Sequence, residues 1–125
     1  MIRILVVEDD AAQRFLVETM LRRAGYETES ARSGDEALAL LARDSQFAAI
    51  LSDIRMPGMD SNEFLTLLSA HYPDIPVIIM TVHAGSRWAD EALGHGAVAC
   101  LAKPFFGPQL TDTLEAYLPR EFMSS

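Results

Sequence analysis

Residues 47–58 read Phe47-Ala48-Ala49-Ile50-Leu51-Ser52-Asp53-Ile54-Arg55-Met56-Pro57-Gly58, an apolar run that reaches an aspartate and is followed by the turn signal Met56-Pro57-Gly58. A short apolar run followed by turn residues reads as a strand. Asp53 is then a carboxylate delivered to a strand's carboxyl end. Three other apolar runs stop at polar residues in the same way. Ile2 to Val7 ends at Glu8-Asp9-Asp10, Val77 to Met80 at Thr81, and Val98 to Ala102 at Lys103-Pro104. If these strands lie parallel, their ends share the crevice where open α/β sheets bind ligands. Three acids, a hydroxyl and an ammonium would converge there.

Working outward, strand-like and helix-like segments alternate along the chain, which argues for βαβ units and a mostly or wholly parallel sheet. Strands are expected at 2–7, 26–30, 47–52, 76–81 and 98–102. Ala12, Phe15, Leu16, Thr19 and Met20 recur at helical spacing as far as Gly25, a plausible helix stop. Ser33 with Glu36, and Asp60 with Glu63, have capping-box spacing ahead of two further helices. Trp88, Ala89, Ala92 and Leu93 mark a short fourth helix ending at Gly94 or Gly96. Pro108 opens the last, with Leu110, Leu114 and Leu118 facing inward. The tail after Pro119 is expected to fray.

With 125 residues, half of them hydrophobic, the chain suits one domain, 1–119, followed by a tail, 120–125. A net charge of −8 argues against non-specific attraction to nucleic acid or to an anionic membrane. The single cysteine, Cys100, excludes an internal disulfide and any cysteine-rich zinc pattern. The start of the chain lacks a signal peptide's apolar core, and no apolar stretch approaches membrane-spanning length, so a cytoplasmic location is expected. His71, His83 and His95 have no metal-ligand spacing. Cys100, on an apolar strand, reads as packing.

Glu8, Asp9 and Asp53 would repel one another if uncompensated, which implies a bound cation or a raised carboxyl pKa. Magnesium suits such a site, because it accepts one or two carboxylates, keeps several waters and bridges to phosphate oxygens. With the acids partly neutralised, an aspartate can attack a phosphoryl donor and form an aspartyl phosphate. Thr81 and Lys103 can then bond the phosphoryl oxygens. Taken singly each residue has a plainer reading: Asp53 a solvated strand-end acid, Thr81 an ordinary strand residue, Lys103 a surface cation. Asp10 in particular reads as a complement to the dipole of the first helix.

The ordered set Ile4-Leu5-Val6-Val7-Glu8-Asp9-Asp10, Leu51-Ser52-Asp53-Ile54-Arg55-Met56-Pro57-Gly58-Met59-Asp60, Thr81, Gly96-Ala97 and Lys103-Pro104-Phe105 resembles the receiver domain of bacterial two-component response regulators, from residue 2 to about 119. The resemblance implies a flavodoxin-like, three-layer α/β fold of five βα units, with a parallel sheet in the order 2-1-3-4-5 and a cis Lys103-Pro104 bond. It makes Asp53 the phosphoacceptor and Thr81 the switch hydroxyl. Lys103 becomes the phosphate-contacting lysine, while Glu8, Asp9, Asp53 and the Arg55 backbone carbonyl surround Mg2+. It implies a phosphoacceptor rather than an enzyme, whose partners are a histidine kinase or histidine phosphotransfer protein and an unknown downstream protein. Dimerisation through the fourth and fifth helices is open, as is whether the chain stands alone or is part of something larger.

The chain departs from the family pattern in places. Val82 stands where a small residue is usual and should narrow access to Asp53, slowing both phosphoryl entry and hydrolysis. Cys100 stands where Tyr or Phe is usual, which puts the usual coupling of threonine movement to an aromatic side chain in doubt. Glu8 replaces the commoner Asp, Ser61 a Gly, and Val98-Ala99 an acidic pair. One alternative is therefore a degenerate receiver that binds partners constitutively. A haloacid-dehalogenase-type Mg-dependent phosphatase needs an Asp-x-Asp motif after the first strand, and Glu8-Asp9-Asp10-Ala11-Ala12 lacks it. A flavodoxin-type phosphate loop would be repelled by the same acids.

Overall fold

The computed structural model describes residues 2–53, 60–82 and 87–119, apart from the side chain of Trp88. Arg55, the Met56-Pro57-Gly58 turn, His83 and the tail 120–125 lie outside the described residues, so the readings attached to them stay expectations. Among the described residues strands and helices alternate: β1 Arg3–Val7, α1 Ala11–Arg23, β2 Glu27–Ala31, α2 Gly34–Arg43, β3 Ala49–Asp53, α3 Ser61–His71, β4 Val77–Thr81, α4 Arg87–Gly94, β5 Ala99–Ala102 and α5 Gly107–Tyr117. All four pairings are parallel, and the sheet runs β2-β1-β3-β4-β5. The expected topology is therefore the observed one, with strand starts displaced by one or two residues. The largest displacement is at β3, which begins at Ala49 and extends through Asp53.

Side-chain alternation sorts the core into two layers. From β1, Ile4 and Val6 join Val17, Leu21, Leu110, Leu114 and Leu118 on the α1 and α5 face. Leu5 and Val7 join Ala37, Leu41, Phe64, Leu65, Leu68 and Ala92 on the face of α2, α3 and α4. The inward Leu110, Leu114 and Leu118 thus stand as expected. Central strands read as continuous apolar runs because both faces are covered. The edge strand β2, Glu-Thr-Glu-Ser-Ala, carries charge where pairing ends.

The first helix forms where expected but buries a different face. Phe15 and Leu16, which carried the periodicity, are 65% and 54% exposed, and Val17 and Leu21 are buried instead. Apolar residues at 15, 16, 17, 20 and 21 cover more than one face, so spacing alone cannot choose. Contact with α5 and the sheet decides. Ser30 donates to the Glu18 carboxylate, tying this orientation to β2.

Caps start the helices. The side chain of Asp10 accepts from the Gln13 backbone N–H at 2.9 Å, that of Ser33 from Glu36 at 3.2 Å, and that of Asp60 from Asn62 at 3.2 Å. At α5 the return half of a cap is made by Gln109, whose Oε1 accepts from the Phe106 N–H at 2.7 Å. After α4 the chain turns at Gly96, whose φ of +118° favours glycine and whose missing side chain makes room for Ser69.

Candidate functional site at the carboxyl edge of the sheet

The strand order places β3 between β1 and β4, so Asp53 lies between the acidic segment after β1 and the hydroxyl that ends β4. One carboxylate oxygen from each of Glu8, Asp9 and Asp53 falls within 4.8 Å of the other two. Lys103, from the connection after β5, places Nζ 2.8 Å from Glu8 Oε1 and 3.8 Å from Asp53 Oδ1. Its backbone N–H donates to the Thr81 carbonyl at 2.8 Å, which fixes the end of β5 beside that of β4. The Lys103-Pro104 bond is cis, as expected. Thr81 is buried at the strand end. The structure thus brings together Glu8, Asp9, Asp53 and Lys103, with Thr81 on the adjacent strand, and Arg55 falls outside the described residues.

The three acids have different surroundings. Glu8 is 1% exposed. Burial pushes its carboxyl above the ordinary range, the bond from Lys103 opposes this, and the charge of Asp53 adds to the rise. Its second oxygen accepts from the Asp10 N–H at 3.3 Å. Asp9 is exposed, and Asp53 is half-buried. Asp10 acts as the cap of α1, separate from the cluster, in line with its plainer reading. Three oxygen donors this close, facing one ammonium, form a donor set suited to a hard divalent cation.

One residue was not foreseen. Gln13, in the first turn of α1, directs Oε1 to 2.6 Å from Lys103 Nζ. The only sequence signal for it is its position one helical turn beyond Asp10. Beside it a groove of about 280 Å3 is lined by Gln13, Leu16, Met20, Val82, Lys103 and Phe105 among others. Val82 is exposed at this groove. The remaining candidates lie elsewhere. His71 ends α3, His95 follows α4 with Nδ1 3.4 Å from Thr66 Oγ1, and Cys100 is a half-buried thiol whose pKa burial raises. No helix among the described residues is long and apolar enough to cross a membrane.

Comparison with known proteins agrees with this fold. The sequence profile of the response regulator receiver domain matches residues 4–115. The response regulator protein FleR of Pseudomonas aeruginosa is 39% identical over 110 residues, covering 88% of this chain and 23% of FleR. The DNA-binding transcriptional regulator NtrC of Salmonella typhimurium is 42% identical over 100 residues, covering 80% of this chain and 21% of NtrC. The chain therefore spans about a quarter of the length of such curated relatives. Among solved structures, the chemotaxis protein CheY4 of Vibrio cholerae superimposes with a TM-score of 0.86 at 34% identity, covering 94% of this chain and 99% of that one.

Proposed function

Since the chain belongs to the response-regulator receiver family, we propose that it accepts a phosphoryl group on Asp53 from a histidine kinase or a histidine phosphotransfer protein, and that the modified domain changes its affinity for a downstream protein. The observation that carries this is the meeting of Glu8, Asp9 and Asp53 within 4.8 Å, beside an ammonium 3.8 Å from Asp53. Family and function class agree: receiver domains are phosphoacceptor signalling modules that bind Mg2+ through acidic residues.

Glu8, Asp9 and Asp53, with the Arg55 carbonyl, would hold Mg2+. The bound cation would offset carboxylate charge and ligate phosphoryl oxygens. Asp53 is assigned as the acceptor because it sits centrally, at the end of β3 between β1 and β4, with the Lys103 ammonium 3.8 Å away. A carboxylate oxygen of Asp53 bonds to phosphorus as the donor's P–N bond breaks, and the freed imidazole keeps the electron pair and takes a proton. Lys103 and the Thr81 hydroxyl bond the transferred oxygens. The group's charge then biases a two-state surface.

The test is intact-mass spectrometry after incubation with acetyl phosphate and Mg2+. The wild type gains one phosphoryl group and Asp53→Asn gains none. An unlabelled wild type would instead favour a constitutive interaction module. If Val82 restricts entry, Val82→Ala labels and hydrolyses faster than wild type. Equal rates for both steps would remove the steric gate from the account.

A further inference from the structure

We propose that Gln13 is a positioning residue for Lys103: its side-chain carbonyl holds the ammonium beside the Asp53 carboxylate, ready to meet a phosphoryl group there. This rests on the phosphoacceptor reading of Asp53.

A lysine ammonium donates up to three hydrogen bonds and accepts none, so the Gln13 atom facing it is the amide oxygen. Among the described residues Lys103 makes two such bonds, at 2.8 Å to Glu8 Oε1 and 2.6 Å to Gln13 Oε1, while Asp53 Oδ1 at 3.8 Å lies beyond hydrogen-bonding distance. The ammonium is thus anchored from two sides and stands one contact short of the acceptor. Anchoring matters because the four-carbon stem of lysine has many rotamers, and a group that must meet developing charge acts best when already placed.

The chemistry of the two anchors differs. Glu8 is buried and charged, and it belongs to the cluster that would surround a cation. A divalent ion there would compete for its oxygens and weaken its grip on Lys103. Gln13 is neutral, sits outside the cluster, and keeps its acceptor whether or not the acids are neutralised. Its backbone is fixed as well, since its N–H is bonded by the Asp10 carboxylate at 2.9 Å. The segment Glu8-Asp9-Asp10 therefore positions the lysine twice, directly through Glu8 and through the cap that orients Gln13.

Two variants separate this role from packing. Gln13→Met keeps the size and removes the acceptor, and Gln13→Glu keeps the acceptor. With acetyl phosphate and Mg2+ in excess, Gln13→Met should label at least about tenfold more slowly than wild type, the lower end of the effect of one lost hydrogen bond to a charged group. Gln13→Glu should remain within about twofold of wild type, since a carboxylate accepts from lysine at least as well. The Lys103 ammonium resonance in 15N NMR should be sharp in wild type and Gln13→Glu and lost in Gln13→Met. In a Lys103→Ala background, Gln13→Met should change the residual labelling rate no further, because the glutamine acts only through the lysine. A labelled wild type whose rate Gln13→Met leaves unchanged, or a defect that persists without Lys103, overturns the inference and spares the phosphoacceptor reading. A wild type that takes no label at all overturns that reading, and the inference with it.

Discussion

The two ends of β1 hold a cation among carboxylates in opposite ways. At the amino end Arg3 bonds Glu29 at 2.6 Å and Asp44 at 2.9 Å and lies over the Phe47 ring at 4.4 Å, with both acids about half exposed. At the carboxyl end Lys103 faces Glu8 and Asp53, which gather with Asp9, and Glu8 is closed off from solvent. Water screens the first cluster, so it acts as an ordinary clasp between β1, β2 and the chain after α2. The second cluster is short of positive charge where screening is poor, and a cation or a phosphoryl group bound with one would relieve it. The sheet is held at one end and poised for a ligand at the other.

The largest expected effect is at Lys103. Lys103→Met leaves Glu8 buried without its counter-charge and should cost about 2–3 kcal/mol at pH 7, below the range for a fully buried pair because Lys103 keeps some exposure. The loss should shrink as pH falls and Glu8, whose carboxyl pKa burial raises, takes up a proton, and a second change, Glu8→Gln, should recover most of it. Urea denaturation of the single and double variants measures this. If the double variant is no more stable than Lys103→Met alone, Glu8 and Lys103 are not the coupled pair.

Magnesium comes next. Binding to the folded chain alone should stabilise it by about 1.4 kcal/mol when the ion is at tenfold its Kd, and thermal melts with and without EDTA would reveal it. Asp9→Asn should abolish most of that shift, and Glu29→Gln, at the other end, should leave it intact. A melt indifferent to millimolar Mg2+ would remove the contrast between the two ends. Arg3→Gln is smaller again, with a cost of about 1 kcal/mol or less, since exposed pairs and a single cation–π contact contribute little.

How far this contrast could be read in the sequence depends on which forces set each part of it. Strands β1, β3 and β4 were legible because burial on both faces of a parallel sheet leaves continuous apolar runs, and the acids and hydroxyl that end them stand out against that background. The face of α1 was not legible. Phe15 and Leu16 are as apolar as Val17 and Leu21, and only packing against α5 and the sheet decides which pair is covered. The clasp at Arg3 joins residues 26 and 41 positions apart, and Gln13 meets Lys103 across 90. Arginine and glutamine are ordinary surface residues until the fold supplies their partners. The carboxylates could be foreseen because their type and position are unusual together, whereas their supports could not.

The two ends should also respond to pH with opposite signs, the smallest effect expected here. The Gln46 backbone N–H, and after it the bond from Arg3, hold the Asp44 carboxyl below its ordinary value. A group whose pKa falls on folding stabilises above its unfolded value and loses that contribution as pH drops through the folded one, so Asp44 should support the fold from about pH 4 upward. Glu8 is displaced the other way, chiefly by burial. Its contribution is present below the ordinary carboxylate range and is lost as pH rises through the folded value. In metal-free buffer, denaturation midpoints of Asp44→Asn should therefore fall less steeply than wild type as pH drops below about 4. Those of Glu8→Gln should lack the decline that begins above the same region. If both variants track the wild type in parallel across pH 3 to 7, the difference in screening between the two ends is not what sets their charge balance.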